Sequence, residues 1–242
     1  MSSSNEQRID KFISNQMNIS RKEAHKLIHR KSVLVNGKTV QKTDVKIEVD
    51  EDNVEVMGKT IKYREYIYIM MNKPAGILSA SNGKGQKTVI DLLPSSLKRK
   101  GLFPAGRLDK DTTGFVLITD DGNFAHRMLS PKNNVPKTYE AHLNIKITDE
   151  HIKLFSEGII WADGTKLKPA QLSVIDETKD GHIVQIIISE GKFHQIKRMI
   201  ESINGKVIML KRTKIGSLSL CESLQLGQSK EIVHKEMTKI LL

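Results

Sequence analysis

Asn36-Gly37, set between Val33-Leu34-Val35 and Lys38-Thr39-Val40, leaves the chain little alternative to a tight β-hairpin at this point. A type I′ turn needs positive φ at both central residues, which glycine reaches freely and asparagine more readily than most. The apolar alternation on either side supplies two short strands. Upstream, Ser20-Arg21-Lys22-Glu23 has the Ser-x-x-Glu form of a capping box and starts a helix whose buried stripe is Ala24, Leu27 and Ile28. An earlier helix is marked by Ile9, Phe12, Ile13 and Met17 at helical spacing. Val45 to Val49 and Val54 to Met57 read as further short strands, Gly58 to Glu65 as a linker, and Met1 to Glu6 as a disordered opening.

The second helix carries Arg21, Lys22, Lys26, Arg30 and Lys31 outside its apolar stripe, and Lys38 follows in the hairpin. A charge run of this kind is compatible with a merely solvated face. The whole chain is also basic, however, with 39 Lys and Arg against 28 Asp and Glu for a net charge of +11 over 242 residues. That excess points to a polyanionic partner, because phosphates neutralised by cations release their counterions. On Arg-Ile-Asp-Lys-Phe-Ile, Ser-Arg and Val-x-Val-Asn-Gly, the segment from Arg8 to about Met57 resembles the S4-type RNA-binding domain. The resemblance implies that the basic helix and the loop after it grip structured RNA, with Arg21, Lys22, Lys26, Arg30, Lys31 and Lys38 as contacts.

From Tyr66 the pattern changes. Tyr66 to Met71, Phe115 to Thr119, Tyr139 to Ile147 and His182 to Ser189 read as strands. Helices are expected after Asp120-Asp121-Gly122 and from His194 to Ile203, the latter ended by Asn204-Gly205. Strands outnumber helices and come in uneven order, so the fold class is α+β, with a mostly antiparallel or mixed central sheet in the larger domain. The expected division is 1–60 and 61–242.

Several chemistries are excluded by what is missing. Cys221 is the one cysteine, so neither an internal disulfide nor a Cys-x-x-Cys metal pair can form. The eight histidines are scattered without metal-ligand spacing, and there is neither a Walker loop nor a dinucleotide fingerprint. No metal and no cofactor are expected. No stretch approaches the roughly 18 apolar residues of a membrane span, and a cytoplasmic monomer is expected.

Three segments are suited to chemistry. Gly106-Arg107-Leu108-Asp109-Lys110-Asp111-Thr112-Thr113-Gly114 is a polar, glycine-bracketed turn before an apolar strand, where reacting groups tend to be held. Asp109 and Asp111 could equally be turn residues bonding their own backbone. Tyr139 opens a strand in Pro136-Lys137-Thr138-Tyr139-Glu140-Ala141, where a half-buried aromatic is ordinary. In Glu190-Gly191-Lys192-Phe193-His194-Gln195-Ile196-Lys197-Arg198-Met199, a strand gives way to a basic helix start. At roughly 100° per residue, Lys197 flanks the stripe of Ile196, Met199, Ile200 and Ile203, whereas Arg198 points away toward solvent or phosphate. His126 and His194 read as structural or RNA-facing, and Trp161 and Cys221 carry no readable role.

Together with Lys73-Pro74-Ala75-Gly76 and Lys137-Thr138-Tyr139, these segments resemble the RsuA-like family of ribosomal RNA pseudouridine synthases, over nearly the whole chain from Arg8. The resemblance implies that Asp109 starts detachment of uracil from ribose, after which the base rotates and rejoins through C5. It implies that Tyr139 stacks on the base, with a carboxylate, water or Tyr139 itself taking the C5 proton, and that Lys197 keeps Asp109 charged in a closed site. Arg107 would fill the gap left by the flipped nucleotide or clamp a phosphate, the alternative being an internal salt bridge. With the short tail at Leu242, the resemblance favours a uridine of 16S rRNA, naked or in a partly assembled subunit. A 23S target is the alternative, and a non-catalytic ribosome-assembly factor is the rival from another class.

Overall fold

The computed structural model describes residues 5–161 and 163–241. It divides into two compact units, one running through Tyr66 and taking in Lys98–Gly101, the other made of Ile67–Leu97 and the chain from Leu102.

The first unit contains β1 (Glu6–Arg8), α1 (Ile9–Gln16), α2 (Arg21–His29), β2 (Val33–Val35), β3 (Lys38–Thr39), β4 (Lys46–Glu48), β5 (Val54–Val56) and β6 (Lys59–Thr60). The capping box of α2 is formed, with the Ser20 side chain on the Glu23 amide and the Glu23 carboxylate on the Ser20 amide. Asn36 and Gly37 have φ of 50° and 76°, and β2 pairs antiparallel with β3 as their turn requires. Ile9, Phe12, Ile13, Ala24 and Ile28 close a core with Val33, Ile47, Val54 and Val56.

Two expectations fail in this unit. Glu6 is not disordered: it pairs with Glu48 across β1 and β4, and its carboxylate accepts from Lys46 Nζ at 2.6 Å. The expected disorder at Met1 to Ser4 lies outside the described residues. Nor is the whole of Gly58 to Glu65 a linker, because Met57 and Gly58 both take positive φ and turn β5 back into β6. A second hairpin turn was therefore present without the Asn-Gly signature.

The larger unit contains β7 (Tyr68–Lys73), β8 (Phe103–Ala105), β9 (Thr113–Thr119), α3 (Gly122–Leu129), β10 (Lys137–Leu143), α4 (Asp149–Glu157), β11 (Gln171–Thr178), β12 (Gly181–Ile188), α5 (Gln195–Glu201), β13 (Val207–Ile215), β14 (Leu218–Ser219), β15 (Ser229–Glu231) and α6 (His234–Thr238). The sheet runs β11-β12-β10-β13-β9-β7-β15, with β14 added to β13 and β8 to β9. Among the described residues, the pairings of its named strands are antiparallel except β13 with β9, so the α+β class and the mixed sheet hold.

Both sheet faces are covered. Ile69, Met71, Val116, Ile118, Tyr139 and Ala141 face one core with Phe155 of α4 and Ile196, Met199 and Ile200 of α5. Met70, Phe115 and Leu117 face the other with Phe124 and Met128 of α3. Side chains alternate faces along a strand, so β9 is a continuous apolar run because both of its faces are buried. No helix among the described residues is long and apolar enough to cross a membrane.

Candidate active site

Asp109 lies on the loop between β8 and β9, and that loop is held at several points. Arg212, buried in β13, donates from Nε to the Phe115 carbonyl at 2.7 Å and from its guanidinium to the Gly106 carbonyl at 2.5 Å. Lys73, fully buried at the end of β7, gives Nζ to the carbonyls of Pro74, Lys110 and Thr112 at 3.0, 3.1 and 2.8 Å. Ser79 Oγ accepts from the Leu108 amide, and the Thr112 amide closes a turn on the Asp109 carbonyl. At Gly114, φ is 98° and a Cβ would come within 2.3 Å of the Arg212 carbonyl, so only glycine lets β9 approach β13 this closely.

Burial pushes the Lys73 ammonium down to about 8, against the opposing pull of Asp111 and Asp109. The Lys110 carbonyl also accepts from the Gly76 amide, but no other donor is seen for the Pro74 and Thr112 carbonyls among the described residues, and leaving buried polar groups unsatisfied is costly.

Around Asp109 the sheet and α5 bring the other expected residues together. Tyr139, Lys197 and Arg107 line one cleft with Asp109, alongside Ile188 and Leu210. Lys197 Nζ lies 3.4 Å from Asp109 Oδ2. It is closer to Asp111, whose carboxylate oxygens it meets at 2.7 and 2.8 Å. The hydrogen bond from Lys197 holds Asp111 below the ordinary carboxylate range. Burial would lower Lys197, but its bonds and charge pairing with Asp111 and Asp109 outweigh that and raise it. Asp111, a turn residue on the sequence reading, is thus the lysine's nearer partner.

Tyr139 is nearly buried, and its hydroxyl accepts from Arg212 at 3.4 Å. Arg107 is exposed at the rim and makes no salt bridge among the described residues, so the internal-pair alternative is not realised. Arg198 does not point freely outward. Its guanidinium lies 3.4 Å over the Trp161 ring and donates to Asp163 at 3.2 Å, because an aromatic face and a carboxylate on the neighbouring loop are both within reach.

Two residues of the site went unassigned in the sequence, and a third, His194, was read only as structural or RNA-facing. His194 sets Nε2 3.7 Å from Asp109 Oδ1, next to the carboxylate rather than merely structural. Its place two residues after Lys192 in the basic helix start was the available signal. Lys73 stood in a quoted motif without a role, and Arg212 gave no signal, since nothing distinguishes it from the surrounding surface cations in sequence.

The basic residues of the first unit form a separate group. Lys22, Lys26, Arg30, Lys31 and Lys38 are exposed on α2 and the hairpin after it. Arg21 is partly engaged elsewhere: it donates to Asp10 at 2.6 Å, where Arg8 and His25 converge on the same buried carboxylate. Burial would raise Asp10, but the hydrogen bonds from Arg8, His25 and Arg21 outweigh it and hold the carboxyl well below the usual carboxylate range.

Residues 67–202 match the family model for RNA pseudouridylate synthase, and residues 7–53 match the S4 domain. An uncharacterized RNA pseudouridine synthase of Bacillus subtilis is 41% identical, over 95% of this chain and 96% of the relative. Ribosomal small subunit pseudouridine synthase A of Haemophilus influenzae is 36% identical over 97% and 99% of the two chains. Ribosomal large subunit pseudouridine synthase B of Bacillus subtilis is 35% identical over 97% and 95%. A crystal structure of a pseudouridylate synthase superposes with a TM-score of 0.65 at 35% identity, covering 96% and 99%.

Proposed function

The chain belongs to the RNA pseudouridylate synthase family, and from that premise we propose that it isomerises one uridine of 16S rRNA, with Asp109 as the catalytic carboxylate. The observation that carries this is the convergence of Asp109, Tyr139 and Lys197 on one cleft from a loop, a strand and a helix. Several relatives named as small-subunit synthases support the 16S target, and the large-subunit relative keeps 23S rRNA as the alternative. Exposed cations on α2 and its hairpin support RNA contacts at Lys22, Lys26, Arg30, Lys31 and Lys38, within a cytoplasmic, monomeric enzyme acting on free or assembling subunit RNA.

In the reaction the bond from N1 of uracil to the ribose breaks, a bond from C5 forms, C5 loses its proton and N1 gains one. No atom is exchanged overall. Asp109 provides the negative charge that starts detachment, and it must stay ionised once the uridine excludes water. Lys197, within ion-pair reach, opposes its neutralisation. Tyr139 offers its ring to the base and its hydroxyl near the reacting carbon, with Arg212 fixing that hydroxyl's position. Arg107 at the open rim is placed for the RNA backbone or the gap left by the flipped nucleotide.

The test is to map pseudouridines by carbodiimide-stopped primer extension on both large rRNAs, in cells carrying either wild-type protein or Asp109→Asn. A wild-type stop in 16S rRNA that the variant lacks is expected. Identical patterns from the two would remove the catalytic claim, and a stop in 23S rRNA alone would replace the target.

A further inference from the structure

Phe193 is 74% exposed, the most open large apolar side chain among the described residues. Its ring stacks on His194, with centroids 3.8 Å apart and planes 17° from parallel. His194 in turn reaches to 3.7 Å from Asp109, so Phe193 stands one ring away from the catalytic carboxylate.

The pair is also held firmly. Gln195, buried beneath it, accepts from the Lys192 amide at 2.9 Å and donates to Glu190 at 3.0 Å. The Gln195 amide returns to the Lys192 carbonyl, and His194 takes the left-handed conformation with φ of 50°. A tight, doubly bonded turn therefore presents an aromatic ring to water, where a folded chain would ordinarily cover it. Lys192 and Arg107 line the same cleft and supply positive charge beside it.

We propose that Phe193, backed by His194, is a stacking platform for a nucleotide next to the target uridine. This rests on the reading of the site as an RNA-modifying one. Tyr139, Ile188 and Leu210 line the cleft that takes the target base. Phe193 lies outside those residues at the rim, and a base displaced alongside the target would meet its open face. Every base has a π-face, so the contact adds affinity without demanding one sequence. The backing imidazole leaves the platform ordered before RNA arrives, which reduces the entropy lost on binding.

Phe193→Trp provides the probe, since the native Trp161 is buried under Arg198 and gives a separate background. A 16S rRNA transcript with uridines tritiated at C5 reports turnover by tritium release, and polarisation of the same transcript carrying a fluorescein label reports binding. Expected are quenching of the introduced indole's emission as RNA binds, and a KM raised about tenfold in Phe193→Ala. The KM should recover in Phe193→Trp but not in Phe193→Leu. RNA that binds by polarisation without quenching overturns the platform, as does Phe193→Ala matching wild type in KM, or Phe193→Leu restoring it as well as the indole does. If wild-type protein releases no tritium from this transcript, the reading of free 16S rRNA as the substrate fails, while the quenching still decides whether a base stacks on residue 193.

Discussion

Lys197 Nζ meets both carboxylate oxygens of Asp111, at 2.7 and 2.8 Å, while standing 3.4 Å from Asp109 Oδ2. One ammonium thus serves two carboxylates two residues apart, and the more exposed of them holds it more tightly. Lys197→Met removes the cation from both and is expected to lower kcat about 100-fold, as loss of an electrostatic group aimed at a reacting site does. Because Asp111 is largely exposed, the urea midpoint should hardly move. Asp111→Ala leaves Lys197 within reach of Asp109, so kcat should fall by less than about tenfold. Equal losses in the two variants, read by tritium release, would show that Asp111 does more than position the lysine.

Tyr139 can be divided into ring and hydroxyl. Tyr139→Phe keeps the stacking surface, so KM should stay within about threefold, whereas a hydroxyl that takes the C5 proton predicts a kcat loss of at least about 100-fold. Tyr139→Leu should raise KM as well, through loss of the ring. Full turnover in Tyr139→Phe would assign the proton to water or a carboxylate.

Elements whose burial follows a simple period were legible in the sequence: the α2 capping box, the Asn36-Gly37 turn, the apolar β9 and the stripe of α5. β13 was not, because its buried positions include Arg212 and its exposed ones include Ile208 and Met209, which inverts the usual pattern. β11 was missed for a related reason, being an edge strand of the sheet in which only Leu172 is buried. In the site, Asp109, Tyr139 and Lys197 were readable from family resemblance. The residues that hold them, Lys73 and Arg212, act by donating to backbone carbonyls, and a carbonyl leaves no mark in a sequence.

Arg212 offers the largest expected effect on stability. Its guanidinium serves the Phe115 carbonyl, the Gly106 carbonyl and the Tyr139 hydroxyl, and it is 2% exposed. Arg212→Met leaves those acceptors without their donor and should cost about 3 kcal/mol, read as a lower urea midpoint. Arg212→Lys should recover little, because a single ammonium cannot span three acceptors arranged around a planar fork.

Lys73 makes activity and stability diverge with pH. Its folded pKa is about 8, below the ordinary value of 10.5, so between those two values the unfolded chain holds a proton that the folded one has lost. The group's contribution to stability therefore rises with pH across this window. Neutral Lys73 has two N–H donors for three carbonyls, however, so a loop contact is lost beside Asp109. The kcat of wild-type protein should accordingly fall through about pH 8, with no drop in the thermal midpoint to explain it. Lys73→Met should be slower by about 10- to 100-fold at neutral pH, since a small displacement at the reacting centre is enough for that, and should lack the alkaline limb. Lys137 is also lowered to about 8, first by burial and then by the charges of Arg212 and Lys168, and it supplies the control. An alkaline limb that survives in Lys73→Met and disappears in Lys137→Met would transfer the effect to Lys137 and remove Lys73 from the account.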